Sequence, residues 1–351
     1  MKSRIRRVKE PRPSEVLVGD QDAVLVVDQL KTHYPVHRSF VGRILGQPKR
    51  TVHAVDGVSL RVETGEFIAI VGESGCGKTS TIMTILRAIE PTEGSIFING
   101  TDVSQLSSRR MRPIYRKLQM IYQDPYGSLD PRFRIRKTVE EPLLVHGVGG
   151  SKEERSRMVL DALESAGLSP AELYVDRFPH ELSGGQRQRV AIAAALILHP
   201  SLLLADEPVS MLDVSVRASV LNLLDELRRE RDMAVVLVTH DLSTAGHFAD
   251  RIIVMYLGRI VEEGPAKEVL HNPQHPYTRA LLSVVPKPDP RERSVPQTLS
   301  GETPNPIDIP SGCRFHPRCP MAEDGCKTND PSLHRPIAMA VEGHYVACLL
   351  A

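Results

Sequence analysis

Gly72-Glu73-Ser74-Gly75-Cys76-Gly77-Lys78-Thr79 satisfies G-x-x-x-x-G-K-[ST] at every position, with Ser80 following. Glycines at this spacing let the backbone curl until its N–H groups converge on phosphate oxygens. The N-terminus of the helix that follows adds partial positive charge. Lys78 has the reach for β- and γ-phosphates, and Thr79 offers a hydroxyl to Mg²⁺. A second set is Asp206-Glu207-Pro208, directly after the apolar run Leu202–Ala205. A buried strand that ends in two carboxylates places them at the C-terminal edge of a sheet, beside a phosphate loop. Asp206 suits Mg²⁺, and Glu207 suits accepting a proton from, or orienting, an attacking water.

Three further features carry chemistry. Gln123 and His240 each follow an apolar strand, in Met120-Ile121-Tyr122-Gln123 and Val238-Thr239-His240-Asp241. Leu182-Ser183-Gly184-Gly185-Gln186 opens a helix, with Ser183 suited to the N-cap and the two glycines exposing N–H groups. Of the five cysteines, Cys76 sits in the phosphate loop, while Cys313, Cys319, Cys326 and Cys348 follow C-x5-C-x6-C-x21-C in the tail. In a chain without a secretory leader such a cluster points to metal before disulfide.

The elements that must position these groups can be traced along the chain. Residues 1–22 are basic and polar and read as a disordered tail. The basic stretch Lys2 to Lys9 runs into Pro11-Arg12-Pro13 where a signal peptide needs an apolar core. Strands are expected at Val24–Val27, Val52–Val62, Phe67–Val71, Leu202–Ala205, Ala234–Thr239 and Ile252–Tyr256, with a short strand or hairpin over Glu93–Gly100. Val36–Arg50 is a basic insert read as a loop. Residues from about 125 to 185 are rich in helix formers (Ser151–Ala166, Ala171–Arg177) and read as a helical insert. Helices Gly184–Leu198 and Ser215–Arg231 alternate with the short apolar strands, which predicts an α/β fold with a parallel sheet covered on both faces. The tail from Pro286 is proline-rich, then cysteine-bearing, and reads as a small separate module. The longest apolar run, Val190–Leu198, falls short of the ~20 residues needed to span a bilayer. A formal charge of +1 gives no global basic field for nucleic acid.

In this order the motifs resemble the nucleotide-binding subunits of ABC transporters, over residues 23–351. The resemblance implies a P-loop NTPase fold over 23–285, with a RecA-like parallel core, an antiparallel β subdomain and the helical subdomain. A C-terminal extension at 286–351 follows. It implies that ATP is bound by Gly72, Glu73, Ser74, Gly75, Cys76, Gly77, Lys78, Thr79 and Ser80. Thr79, Asp206 and Gln123 would serve Mg²⁺, Glu207 would be the base, and His240 the switch histidine on the γ-phosphate. Tyr34 is the candidate for stacking on adenine, with His33 the runner-up. Ser210-Met211-Leu212-Asp213 matches the D-loop. Ser183, Gly184, Gly185, Gln186 and Asp213 would complete the γ-phosphate site of a second ATPase, two such domains meeting head to tail.

Ala54-Val55-Asp56-Gly57-Val58-Ser59-Leu60, Tyr122 to Arg132, His275-Pro276-Tyr277-Thr278-Arg279-Ala280-Leu281-Leu282 and Gly312 to Pro320 resemble the oligopeptide/dipeptide importer branch. Gln-Asp-Pro-Tyr at 123–126 and the Gly-Cys-Gly loop favour the second of its paired ATPases. Lys78-Thr79-Ser80 departs from the usual Lys-Ser-Thr but keeps the hydroxyl. In that branch the four tail cysteines can hold a [4Fe–4S] cluster. Their spacing matches neither the ferredoxin run nor a zinc ribbon, so a cluster, zinc or no metal stay open. The implied partners are a second ATPase, two transmembrane permeases and an extracytoplasmic binding protein, with the chain peripheral on the cytoplasmic face of the membrane. Alternatives are an importer for nickel or another small solute, or a non-transport ABC ATPase of repair or translation. The absence of a long coiled coil or tandem ATPase domain weighs against the latter.

Overall fold

The computed structural model describes residues 23–36, 50–124, 126–285, 299, 301–336 and 341–351. The expected tail 1–22 and most of the insert 36–50 lie outside the described residues. Chain order begins with β1 (Ala23–Pro35), β2 (Thr51–Glu63) and β3 (Phe67–Val71), then α1 (Lys78–Ile85), β4 (Glu93–Ile98) and β5 (Thr101–Asp102). It continues through α2 (Ser108–Tyr115), β6 (Leu118–Ile121), α3 (Ile135–His146), α4 (Lys152–Ser165) and α5 (Gly184–Leu196). Then come β7 (Leu202–Asp206), α6 (Val214–Arg231), β8 (Ala234–Thr239) and α7 (Leu242–Phe248). The remainder is β9 (Arg251–Tyr256), β10 (Arg259–Pro265), α8 (Ala266–His271), α9 (Pro276–Ser283) and β11 (Tyr345–Val346).

The central sheet runs β11-β10-β9-β3-β8-β7-β6. β3 lies between β9 and β8 and is parallel to both, and β7 and β6 continue in parallel. β3, β7 and β8 are buried at every residue, as a sheet covered on both faces demands. Alternation sorts the side chains. Leu203, Ala205, Val235 and Leu237 join the core of the helical side, while Leu202, Leu204, Val236 and Val238 pack toward the smaller sheet. That smaller sheet, β2-β1-β4-β5, is antiparallel and lies over α1. The α/β expectation is therefore met, down to the antiparallel layer.

α4 is capped as its sequence suggests, Ser151 Oγ accepting from Glu154 N–H at 3.1 Å. Ala171–Arg177, expected to be helical, forms only a 3₁₀ turn over Ala171–Leu173. Helix propensity without a packed amphipathic face does not sustain so short a segment.

The tail departs most from expectation. Instead of standing apart, β11 adds antiparallel to β10, and Phe315, 1% exposed, enters the core beside Tyr256 and Tyr277. The β9–β10 hairpin, not anticipated, turns on Leu257 (φ 46°) and Gly258 (φ 80°). Two consecutive left-handed residues match the type I′ geometry of tight hairpins.

Candidate functional site

β3 ends at Val71 and the chain turns into α1 through the glycine-rich loop. Gly77 has φ 109°, and a Cβ there would lie 2.2 Å from the Ala54 carbonyl oxygen, so only glycine fits. The Lys78 ammonium donates to the carbonyls of Gly72 (2.8 Å) and Glu73 (3.0 Å), an arrangement that holds a cation at the mouth of the loop. Thr79 Oγ1 donates to Asp206 Oδ1 at 3.1 Å, bringing the first turn of α1 against the end of β7. Burial pushes the Asp206 carboxyl above its usual range; the charge of Glu207 adds to that, against the Thr79 hydrogen bond and Lys78.

Glu207 holds a left-handed backbone (φ 42°), which costs a non-glycine residue ~1 kcal/mol. Its N–H donates to the Val238 carbonyl at 2.9 Å, fixing the turn to β8. The carboxylate is gripped at both oxygens. Gln123 Nε2 donates to Oε2 at 3.0 Å, and His240 Nδ1 lies 3.1 Å from Oε1. Strained backbone over-determined by its neighbours is a mark of functional positions.

Ser74, Gly75, Gly77, Lys78, Thr79, Ser80, Gln123, Glu207 and His240 line one cavity of about 600 Å³, together with Val52, Ala54 and Pro306. That volume suits a nucleotide-sized ligand. The last three residues escaped the sequence reading. Alternation along β2 puts 52 and 54 on one face, a signal that could have found two of them; Pro306 comes from the tail and had none.

Gly72, Glu73 and Cys76 form the back of the loop. Cys76 is buried, its thiol pushed up by burial, with Sγ 3.8 Å from Lys78 Nζ. Tyr34 does not line the cavity, although its hydroxyl donates to Ser80 Oγ at 3.5 Å, at the cavity's rim. His33 points elsewhere: its Nε2 is 3.1 Å from Asp56 Oδ1 and its ring 4.2 Å from that of His53.

Ser183, Gly184, Gly185, Gln186 and Asp213 are also outside the cavity lining. Ser183 caps α5 in a reciprocal pair with Gln186: Ser183 Oγ accepts from Gln186 N–H at 3.3 Å, and Gln186 Oε1 from Ser183 N–H at 3.0 Å. A Cβ at Gly185 would sit 2.7 Å from Val216 Cγ1, so this glycine also lets α6 approach. Asp213 stands at the N-cap of α6 without a side-chain cap hydrogen bond.

In the tail, Cys313 N–H donates to the Cys326 carbonyl at 2.9 Å. Burial pushes the Cys313 thiol up to about 11, with Cys326, Cys348 and Cys319 adding to it. Burial likewise raises Cys319 and Cys348.

A parallel sheet with a phosphate loop, an Asp-Glu strand end and Gln and His on the same carboxylate defines a P-loop ATPase site. The comparisons with known proteins agree. The ABC transporter family model matches residues 55–210, and that of the oligopeptide/dipeptide transporter C-terminal region matches 261–326. The chain is 43% identical over 327 residues to the probable peptide ABC transporter ATP-binding protein y4tS of Sinorhizobium fredii, covering 93% of this chain and 90% of that one. It is 44% identical over 338 residues to the oligopeptide transport ATP-binding protein AppF of Bacillus subtilis, covering 95% and 98%. The dimeric ATP-binding cassette MJ0796, solved in a post-hydrolysis state with ADP and Pi, matches with TM-score 0.61 at 32% identity over 69% of this chain and 98% of that one. The chain belongs to the ATP-binding subunits of ABC transporters, in the branch that carries the oligopeptide/dipeptide C-terminal region.

Proposed function

We propose that this chain hydrolyses ATP at the interface of two ATPase subunits and thereby drives a permease that imports di- or oligopeptides. One observation carries the reading: Lys78, Thr79, Gln123, Glu207 and His240 surround a single cavity, while Ser183–Gln186 and Asp213 lie outside it. A site with its base and lysine in place but its serine–glycine turn elsewhere is half a site. The same turn from a second ATPase completes it, head to tail. The peptide ATP-binding proteins of S. fredii and B. subtilis support the cargo class.

Lys78 and the loop N–H groups hold the β- and γ-phosphates. Hard oxygen donors suit Mg²⁺, and the Thr79 hydroxyl beside the Asp206 carboxylate supplies two, with Gln123 nearby. Bound there, the ion would neutralise phosphate charge. Glu207 takes the proton of the attacking water, Gln123 and His240 hold its carboxylate in place, and His240 meets the γ-phosphate. Tyr34, above Ser80, is the aromatic for the base.

The four tail thiols match in number the thiolates a [4Fe–4S] cluster takes, with zinc the second reading. Iron and acid-labile sulfide near four each per chain after anaerobic purification are expected; less than one of each would reject the cluster.

No helix among the described residues is long and apolar enough to cross a membrane. The chain sits peripherally on the cytoplasmic face, with a second ATPase, two permeases and an extracytoplasmic binding protein. Purification of the tagged chain from its host in mild detergent should recover two polytopic proteins and a peptide-binding protein. Recovery with nucleic acid or ribosomes instead would overturn the transport reading.

A further inference from the structure

Glu73, the first variable residue of the phosphate loop, is bound by three side chains from far along the sequence. Arg318 meets its carboxylate with both terminal nitrogens, Nη1 at 2.8 Å from Oε2 and Nη2 at 3.2 Å from Oε1. Thr303 Oγ1 donates to Oε2 at 2.7 Å, and Arg318 Nη1 also reaches Thr303 Oγ1 at 3.2 Å. The Tyr277 hydroxyl accepts the Glu73 N–H at 2.8 Å. The Arg318 side chain is only 8% exposed, and its guanidinium lies 6.0 Å from the Tyr256 ring centroid. A fork–fork pair in a desolvated setting fixes both distance and orientation of the carboxylate.

The same residue touches the catalytic lysine, since the Glu73 carbonyl accepts from Lys78 Nζ. The loop is also backed by the β9–β10 turn, Gly258 N–H donating to the Cys76 carbonyl at 2.8 Å. Arg314 ties that turn to β2, donating to the Leu257 carbonyl at 2.6 Å and pairing with Asp56. Pro306, whose carbonyl accepts from His53 N–H at 3.0 Å, lines the nucleotide cavity itself. Tyr277, Thr303, Pro306, Arg314 and Arg318 all lie in the matched C-terminal region, 261–326.

We infer that this C-terminal region is a working part of the nucleotide site, and that Arg318 is a positioning residue which holds the phosphate loop in its binding shape through Glu73. The inference rests on the ATP-site reading above. With Arg318 gone, the half-buried Glu73 carboxylate loses its counter-charge and turns toward solvent or toward Lys78. The loop N–H groups then have to be reordered by the incoming phosphates, which weakens binding more than it slows the chemical step.

The test uses the full-length chain and four variants: Arg318→Met, Arg318→Lys, Thr303→Val and the double variant Arg318→Met with Glu73→Gln. Dissociation constants for a fluorescent ATP analogue, ATP KM and kcat are measured beside thermal melting curves. Arg318→Met should raise Kd and KM tenfold or more with kcat changed less than threefold. Arg318→Lys, a point charge without the fork, should fall between it and wild type. The double variant should recover most of the lost affinity, because no unpaired carboxylate remains. If Arg318→Met proves too unstable to purify, Thr303→Val removes one of the bonds to Oε2 and should still raise KM severalfold.

A folded Arg318→Met chain, or failing that Thr303→Val, with wild-type Kd and KM overturns the inference. Lys78→Ala separates the two failures: if it abolishes binding while the tail variants do nothing, the ATP site stands and only the tail's role falls. If Lys78→Ala also binds like wild type, the nucleotide site itself is misplaced.

Discussion

Thr79 Oγ1 lies 3.1 Å from Asp206 Oδ1, so two residues 127 positions apart present their oxygens as one edge at the end of the parallel sheet. The pair is the seat proposed above for Mg²⁺. Thr79→Val, nearly isosteric but without the hydroxyl, should raise the Mg²⁺ concentration for half-maximal ATPase activity by roughly 10- to 100-fold. Thr79→Ser should stay close to wild type. Mg²⁺ titrations of the two variants that coincide would remove Thr79 from the metal site.

Glu207 carries its carboxylate on a strained turn, with Gln123 on one oxygen and His240 on the other. Glu207→Gln keeps the shape and removes the carboxylate proposed as the base. Expected are a kcat lower by about 10²–10⁴-fold, an unchanged Kd for ATP, and a dimer that accumulates with ATP. Gel filtration with and without ATP, beside a phosphate-release assay, reads all three; hydrolysis at the wild-type rate would reassign the base.

His275 is buried neutral, its Nδ1 accepting from Tyr277 N–H at 3.1 Å to cap α9. Burial lowers it to about 4, against an ordinary value near 6.5. A depressed histidine means the unfolded chain binds the extra proton first. Stability is therefore full above pH 6.5 and falls as the pH drops toward 4, by ~2 kcal/mol between pH 8 and 5. His275→Asn keeps a capping oxygen without the titration, so the fall in melting temperature over that range should shrink; parallel curves for the two proteins would exclude His275 as the cause.

Phe315 packs edge-on to Tyr256 (centroids 5.2 Å, 86°) and within 5.4 Å of the Tyr277 ring. Phe315→Ala should cost about 3–5 kcal/mol in urea unfolding, the range for emptying a buried aromatic site. A loss below ~1 kcal/mol would show that the tail contributes little to this core.

The phosphate loop Gly72–Thr79, the Asp206-Glu207 pair and the Ser183–Gln186 turn were legible in the sequence as motifs because they are local: each follows or opens an element whose apolar period announces it. Strand and helix limits agreed within a few residues for β7, α5 and α6. What stayed hidden depends on pairs far apart in the chain. Arg318 finds Glu73 and Arg314 finds Asp56 across 245 and 258 positions, in a proline- and cysteine-rich stretch with no period to fix which face is buried. The partners of Tyr34 and His33 were hidden as well, Ser80 for one and Asp56 for the other, since both contacts cross between elements.

β11 is only two residues long, yet without it β10 would present an open row of backbone donors and acceptors. His344, just before it, gives Nε2 to the fully buried Glu262 at 2.8 Å. Trimming the last eleven residues therefore uncovers a sticky sheet margin and takes His344 from the buried Glu262, leaving that carboxylate only the backbone N–H groups of Gln274 and His275. A shortened chain made to ask what the extension does would answer with self-association before it answered with chemistry. Point changes are the only clean way to interrogate that end of the molecule.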